Sequence, residues 1–184
     1  METTTSTYET APQTQPGVWS VGMKGGLYTG LVFIVFSLIT FLAELQQDSG
    51  LSTIFMVISF IVGIYLTHKA FKDQGNGFMS YGQGLGLGVV LGLVSGIIGS
   101  LFSVIYMTFI DETIIARQME IARIQLEEQG MSDAQIEQAM EISEMMMSPV
   151  ALFFIGILTY IVVSFIVSLI VSAFTKNTDP SVEF

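Results

Sequence analysis

The sequence predicts an all-α, polytopic membrane protein: four transmembrane helices, with an extramembrane helical hairpin protruding between the third and fourth. Three observations carry this reading. Hydrophobic residues fill 51% of the 184 positions and charged residues 12%, with a mean hydropathy of +0.67, whereas soluble domains carry about 25% charged residues. Four apolar stretches are each long enough to cross a bilayer core of about 30 Å, which takes roughly 20 helical residues. Acidic residues gather in one place, nine between Asp111 and Glu144 against Arg117 and Arg123, so that this segment alone carries a net charge of −7.

Composition also excludes whole classes of function. Nucleic acid and anionic lipid surfaces are gripped by clustered Lys and Arg, and the six here are scattered. Neither nucleic acid nor an anionic lipid surface is therefore an expected partner. The absence of cysteine removes disulfides, thiolate catalysis and cysteine metal sites.

Residues 1–20 are rich in Thr, Pro and Gln and read as a disordered tail. They lack the basic n-region of a secretory signal. Residues 21–110 hold three spans, at about Gly22–Leu42, Leu51–His68 and Gln83–Ile110. The turn QQDSG joins the first two tightly, and KDQGNG breaks the chain between the second and third. The fourth span, at about Val150–Phe174 within residues 149–175, opens at Ser148 and Pro149, a cap followed by proline at the first helical position. Residues 176–184 close the chain as a short tail.

With four spans both termini share one side. Lys24, Lys69, Lys72 and Lys176 lie on that side and only Arg117 and Arg123 on the other, so the positive-inside rule places the termini in the cytoplasm and the acidic segment outside.

The third span is crowded with glycine, which invites a dinucleotide-binding reading. No register fits a G-x-G-x-x-G fingerprint: Gly84 and Gly86 are followed by Val89, and Gly86 and Gly88 by Leu91. What repeats is a spacing of four. Gly84, Gly88, Gly92, Gly96 and Ser100 form a small-residue ridge suited to close helix packing in lipid. Similar rows occur at Gly22, Gly26 and Gly30, at Ser59, Gly63 and Thr67, and at Ser164, Ser168 and Ser172. Packing is one reading of the ridge; the lining of a gated pathway is the other.

Residues 111–148 form the predicted hairpin. No glycine or proline falls between Gly99 and Gly130, so the third helix is expected to run out of the membrane unbroken. Gly130 ends it in a left-handed conformation, Ser132 caps the next helix with Gln135 completing a capping box, and Met131 and Ile136 form a hydrophobic staple. Arms of 111–129 and 133–147 would be about 28 and 22 Å long at 1.5 Å per residue. Ile115, Met119, Ala122 and Leu126 supply one side of the seam, and Ile136, Ala139, Met140, Ser143 and Met147 the other. Ile114, Ile121, Ile124 and Ile142 are left over. They call for a cover, in a second copy, making a homodimer, in another envelope protein, or in the membrane surface; the acidic faces weigh against the last, since surface-lying helices carry Lys and Arg on their polar side.

Reactive constellations are scarce. His68 is the only histidine, and at a span end it reads as an interfacial polar residue. Met145, Met146 and Met147, near Met140, could offer thioethers to Cu(I), but methionine is also the adaptable filler of helical interfaces. Glu127, Glu128, Asp133 and Glu137 form no EF-hand loop. No cofactor or metal is expected. No carboxylate lies deep in a span, as ion-coupled transporters place one; Glu44 and Asp48 belong to the first outer turn.

The stretch GFMSYGQGLGLGVVLGLVSGIIGSLFSVIYMTFID, followed by GMSDAQIEQAMEI and SPVALFFIGILTYIVVSFIVSLIVSAF, resembles the uncharacterised bacterial membrane proteins grouped as domain of unknown function 4199 (DUF4199). The likeness runs from about Gly22 to Lys176. It implies a four-span protein of the bacterial inner membrane, and it brings no activity or site residues. The expected function is a non-catalytic interaction or assembly role for the acidic hairpin. The alternative is a small transporter or channel built on the third span.

Overall fold

A computed structural model describes residues 15–43 and 49–178. Residues 44–48, with Glu44, Asp48 and the first part of the QQDSG turn, most of the N-terminal tail and the last six residues lie outside the described residues. Six helices follow one another: α1 Val18–Leu42, α2 Ser49–Gln74, α3 Tyr81–Phe109, α4 Thr113–Glu128, α5 Asp133–Met146 and α6 Pro149–Thr175. Among the described residues there is no strand, only an isolated antiparallel bridge between Met79 and Asn177.

Four of these helices, α1, α2, α3 and α6, are long and apolar enough to cross a membrane. Their boundaries are wider than hydropathy marks. α1 starts at Val18 behind the extended residue Gly17, so Val18, Trp19 and Ser20 are helical rather than tail. α2 runs past His68 to Gln74 because Phe71 is buried and draws that last turn into the core. Gly77, at φ +83°, then turns the chain. α3 opens on Ser80, whose Oγ accepts from the Gln83 N–H (3.2 Å) while Gln83 Oε1 accepts from the Ser80 N–H (2.7 Å). Two of the four orphan donors of that helix start are thereby satisfied.

α3 is the central helix, packed along most of its length against α1 on one side and α6 on the other, with α2 lying across α1 and α6. Its apolar core joins Phe33, Phe60, Ile64, Leu91, Val167 and Val171. Phe33 meets Phe60 and Tyr160 edge to face, with centroids 5.2 and 4.9 Å apart, the favourable geometry for aromatic pairs. The outward faces of the four long helices stay apolar and exposed, as at Leu27, Ile61, Leu158 and Ile170. Hydrocarbon, not water, is the solvent such a surface suits.

The third helix does not continue into the acidic segment. It ends at Phe109, because Asp111 offers the backbone a competing partner. Asp111 Oδ1 accepts from the Thr113 N–H (3.1 Å) and hydroxyl (2.5 Å), and Oδ2 pairs with Arg117 at 2.8 Å. α4 ends in a Schellman motif: the Met131 N–H reaches Leu126 O (3.3 Å), the Gly130 N–H reaches Glu127 O (2.9 Å), and Gly130 has φ +74°. Gln135 Oε1 then accepts from the Ser132 N–H at 3.0 Å. α4 and α5 pack on each other, with Ile136 buried and Ile115, Met119, Ala122 and Leu126 half-buried.

The Thr113 hydroxyl holds the Asp111 carboxyl below its ordinary range, with the Thr113 N–H and Arg117 adding to it and desolvation opposing. A depressed carboxyl stabilises the α3–α4 joint above the ordinary carboxylate pKa, and the effect is lost as pH falls through the lowered value. Amide exchange at Thr113, corrected for its intrinsic rate, is expected to accelerate in that acidic window. In Asp111→Asn the acceleration is expected to vanish; an unchanged pH step in that variant would assign it to another group.

The α3–α6 contact yields a second expectation. A Cβ placed on Gly156 would lie 2.3 Å from Ser100 Oγ, and that hydroxyl has no hydrogen-bond partner among the described residues. Gly156→Ala is expected to cost about 1–3 kcal/mol, as overpacking does, and adding Ser100→Ala to restore most of it. A steric-trapping measurement showing no rescue would mean that the strain lies elsewhere.

Candidate functional site

The ridge of α3 meets α6 residue by residue. A Cβ on Gly84, Gly88, Gly92 or Gly96 would come within 3 Å of Ser172, Ser168, Ser164 or Tyr160 respectively, and at the far end the pairing reverses, with Ser100 on α3 facing Gly156 on α6. The reason lies in what the serines do there. Ser164 Oγ donates to Gly88 O at 2.6 Å and Ser168 Oγ to Gly84 O at 3.1 Å. A hydroxyl can reach a carbonyl inside another helix only where nothing stands on the intervening Cα. Because water is absent from a bilayer core, each such bond also removes an otherwise costly unpaired group.

His68 extends this seam to α2. It is 0% exposed, with Nε2 3.0 Å from Gly84 O and Nδ1 2.8 Å from Thr175 Oγ1. A carbonyl only accepts, so Nε2 carries a proton. Thr175 Oγ1 is also 2.8 Å from Val171 O, and its single proton serves one of these acceptors at a time. Gly84 O thus receives both His68 and Ser168, and through it α2, α3 and α6 meet at one atom. One turn along α2, Lys72 Nζ donates to Thr175 O at 3.1 Å, closing an orphan carbonyl at the end of α6. Beyond it, Met79 and Asn177 exchange two backbone bonds of 2.8 and 2.9 Å.

The expectation that His68 is an interfacial residue is therefore corrected. It belongs to the buried stripe Phe60, Ile64, His68 and Phe71, whose spacing of four, four and three marks one helix face. That stripe was the available signal; the apparent end of the apolar run at His68 hid it. The bond of Lys72 to the end of α6 and the Ser80 capping box were also not read from the sequence.

Ile114, Ile121, Ile124 and Ile142 do not form one group. Ile114 is 3% exposed and Ile121 half-buried, whereas Ile124 and Ile142 are 44% and 51% exposed. Ile114 is thus no surplus residue: it lines a cavity of about 410 Å³ between α4 and the long helices, with Thr40, Ser103 and Gln118. Among the described residues no three His, Cys, Asp or Glu side chains gather as metal ligands.

Four apolar spans around a buried polar seam define a multi-pass helical membrane protein. The chain belongs to the DUF4199 family, described as protein of unknown function, whose model matches residues 24–177. No curated protein and no solved structure compared with it gives a significant match.

The seam gives an ordered expectation for stability. His68→Ala removes two interhelical bonds, worth about 0.6 kcal/mol each in membranes, and leaves a cavity, for a combined cost of about 2–4 kcal/mol. Thr175→Ala removes one bond and is expected to cost roughly 0.6 kcal/mol. Equal costs for the two variants in reversible unfolding from bilayers would argue that His68 is not the joint of the three helices.

Proposed function

We propose that this protein is a non-catalytic integral protein of the bacterial cell membrane in which α4 and α5 form a helical hairpin outside the bilayer, on the extracytoplasmic side, that captures a second copy or another envelope protein. The observation that carries the reading is the exposure of Ile124, Ile142, Met145 and Met146 on the two most acidic helices of the chain. Small two-helix units bury little apolar area by themselves, and large exposed side chains ringed by acids are the composition of a docking face. The orientation rests on the positions of Lys24, Lys69, Lys72 and Lys176 relative to the acidic segment.

The buried seam supports a structural rather than catalytic role for its polar groups. Thr175 and His68 are paired as a nucleophile and base would be, but a histidine sealed from any solvent-borne substrate cannot act as a general base upon it. The ridge of α3 meets α6 side chains at Gly84, Gly88, Gly92 and Gly96, which supports packing over a transport pathway along it.

The test is a double substitution, Ile124→Glu with Ile142→Glu, on the two exposed positions. Chemical cross-linking in native membranes is expected to lose the homodimer or heterologous adduct, while insertion and expression remain at wild-type levels. Cross-linking that is unchanged by the two charges would overturn the assembly role of this face.

A further inference from the structure

α1 and α2 touch at their centres through reciprocal small-residue contacts, Gly25 on Thr67 and Gly63 on Thr29, and above that floor they diverge into a groove of about 540 Å³. Its walls are overwhelmingly apolar. The Thr67 hydroxyl on its floor is occupied by Gly63 O at 2.7 Å. Tyr28 and Val32 on one lip, and Ile58, Val62 and Leu66 on the other, are all exposed, so the groove opens on the surface that faces hydrocarbon. Lys24 and Gln74 line one end. At the other end Phe55 lines it, stacked on Phe36 with centroids 3.7 Å apart at an angle of 6°.

We infer that this groove binds an anionic phospholipid, with one acyl chain laid between α1 and α2 and the phosphate at the Lys24 ammonium. Charge selects this occupant, and length accommodates it. The lining runs from Val21 to Val32 on α1 and from Phe55 to Gln74 on α2, about 16 and 28 Å of helix, against roughly 15 Å for one leaflet of a 30 Å core. No acidic side chain lines the groove, so the lysine is offered to an external anion, and a basic group between transmembrane helices is a recognised seat for a lipid headgroup.

Trp19 is the only tryptophan, which makes a reporter simple to build. The full chain carrying Trp19→Phe and Ile58→Trp, with its indole at the groove lip, is reconstituted in bilayers containing brominated phosphatidylglycerol or brominated phosphatidylcholine of the same chain length. Quenching at position 58 is expected to favour phosphatidylglycerol by about fivefold, the scale of one lysine near an anionic surface, and Lys24→Gln is expected to abolish the preference. A control reporter, Trp19→Phe with Leu158→Trp on the exposed face of α6, is expected to show no dependence on Lys24. Equal quenching by the two lipids at position 58, or a preference that survives Lys24→Gln, would overturn the site. So would the absence of quenching at position 58 while position 158 is quenched, since a second copy of the chain would then fill the groove.

Discussion

Helices in hydrocarbon gain nothing from burying apolar surface against each other, because the lipid is equally apolar. What holds this bundle is the near-backbone contact of α3 and α6, where serine hydroxyls donate into carbonyls exposed by glycine. The rest of the architecture depends on that approach. It brings Gly84 O to where His68 can reach it from α2, and it sets Tyr160 over the ridge, where its ring completes the aromatic cluster with Phe33 and Phe60. On the opposite face of α3 the same economy runs in apolar form, with Gly22, Gly26 and Gly30 of α1 seated on Val90, Val94 and Ile98. Branched side chains that are stiff at χ1 fill those notches at little entropic cost.

The two ends of the bundle are built differently. At the end carrying the chain termini, His68 to Thr175, Lys72 to Thr175 O and Met79 to Asn177 tie α2, the α2–α3 turn and the exit of α6 together within a few residues. At the other end α3 breaks at Asp111, and a cavity with hydroxyl and amide walls remains beneath α4. Among the described residues, the Ser100 and Thr108 hydroxyls have no partner toward that end.

How far the sequence speaks depends on whether a feature is local. The four long helices are legible because hydropathy over twenty residues is a property of the segment alone. The Gly130 turn is legible because a left-handed position followed by Ser-x-x-Gln leaves the backbone few alternatives. Asp111 was not, since nothing in the absence of glycine and proline warns that one carboxylate will take the Thr113 amide away from α3. His68 and Ile114 were misplaced for a related reason. Their surroundings come from other helices, Gly84 and Thr175 in one case and Thr40 and Ser103 in the other, and one-dimensional periodicity fixes the face a residue occupies without naming what that face meets.

Exposure carries different information in different parts of this chain. Leu42, Leu158 and Phe174 are as exposed as residues can be within a helix bundle, yet on membrane-spanning helices hydrocarbon covers them at no cost. Ile124 and Ile142 sit instead among Glu120, Glu127, Glu128, Glu137, Glu141 and Glu144, on helices too polar to enter the bilayer core, since each carboxylate there would cost several kcal/mol. The acidic face also disfavours lying along an anionic lipid surface. Fully burying an isoleucine is worth about 1.5–3 kcal/mol, so two half-exposed isoleucines leave a sizeable gain to any protein surface that covers them. That gain is what the proposed assembly role would draw on.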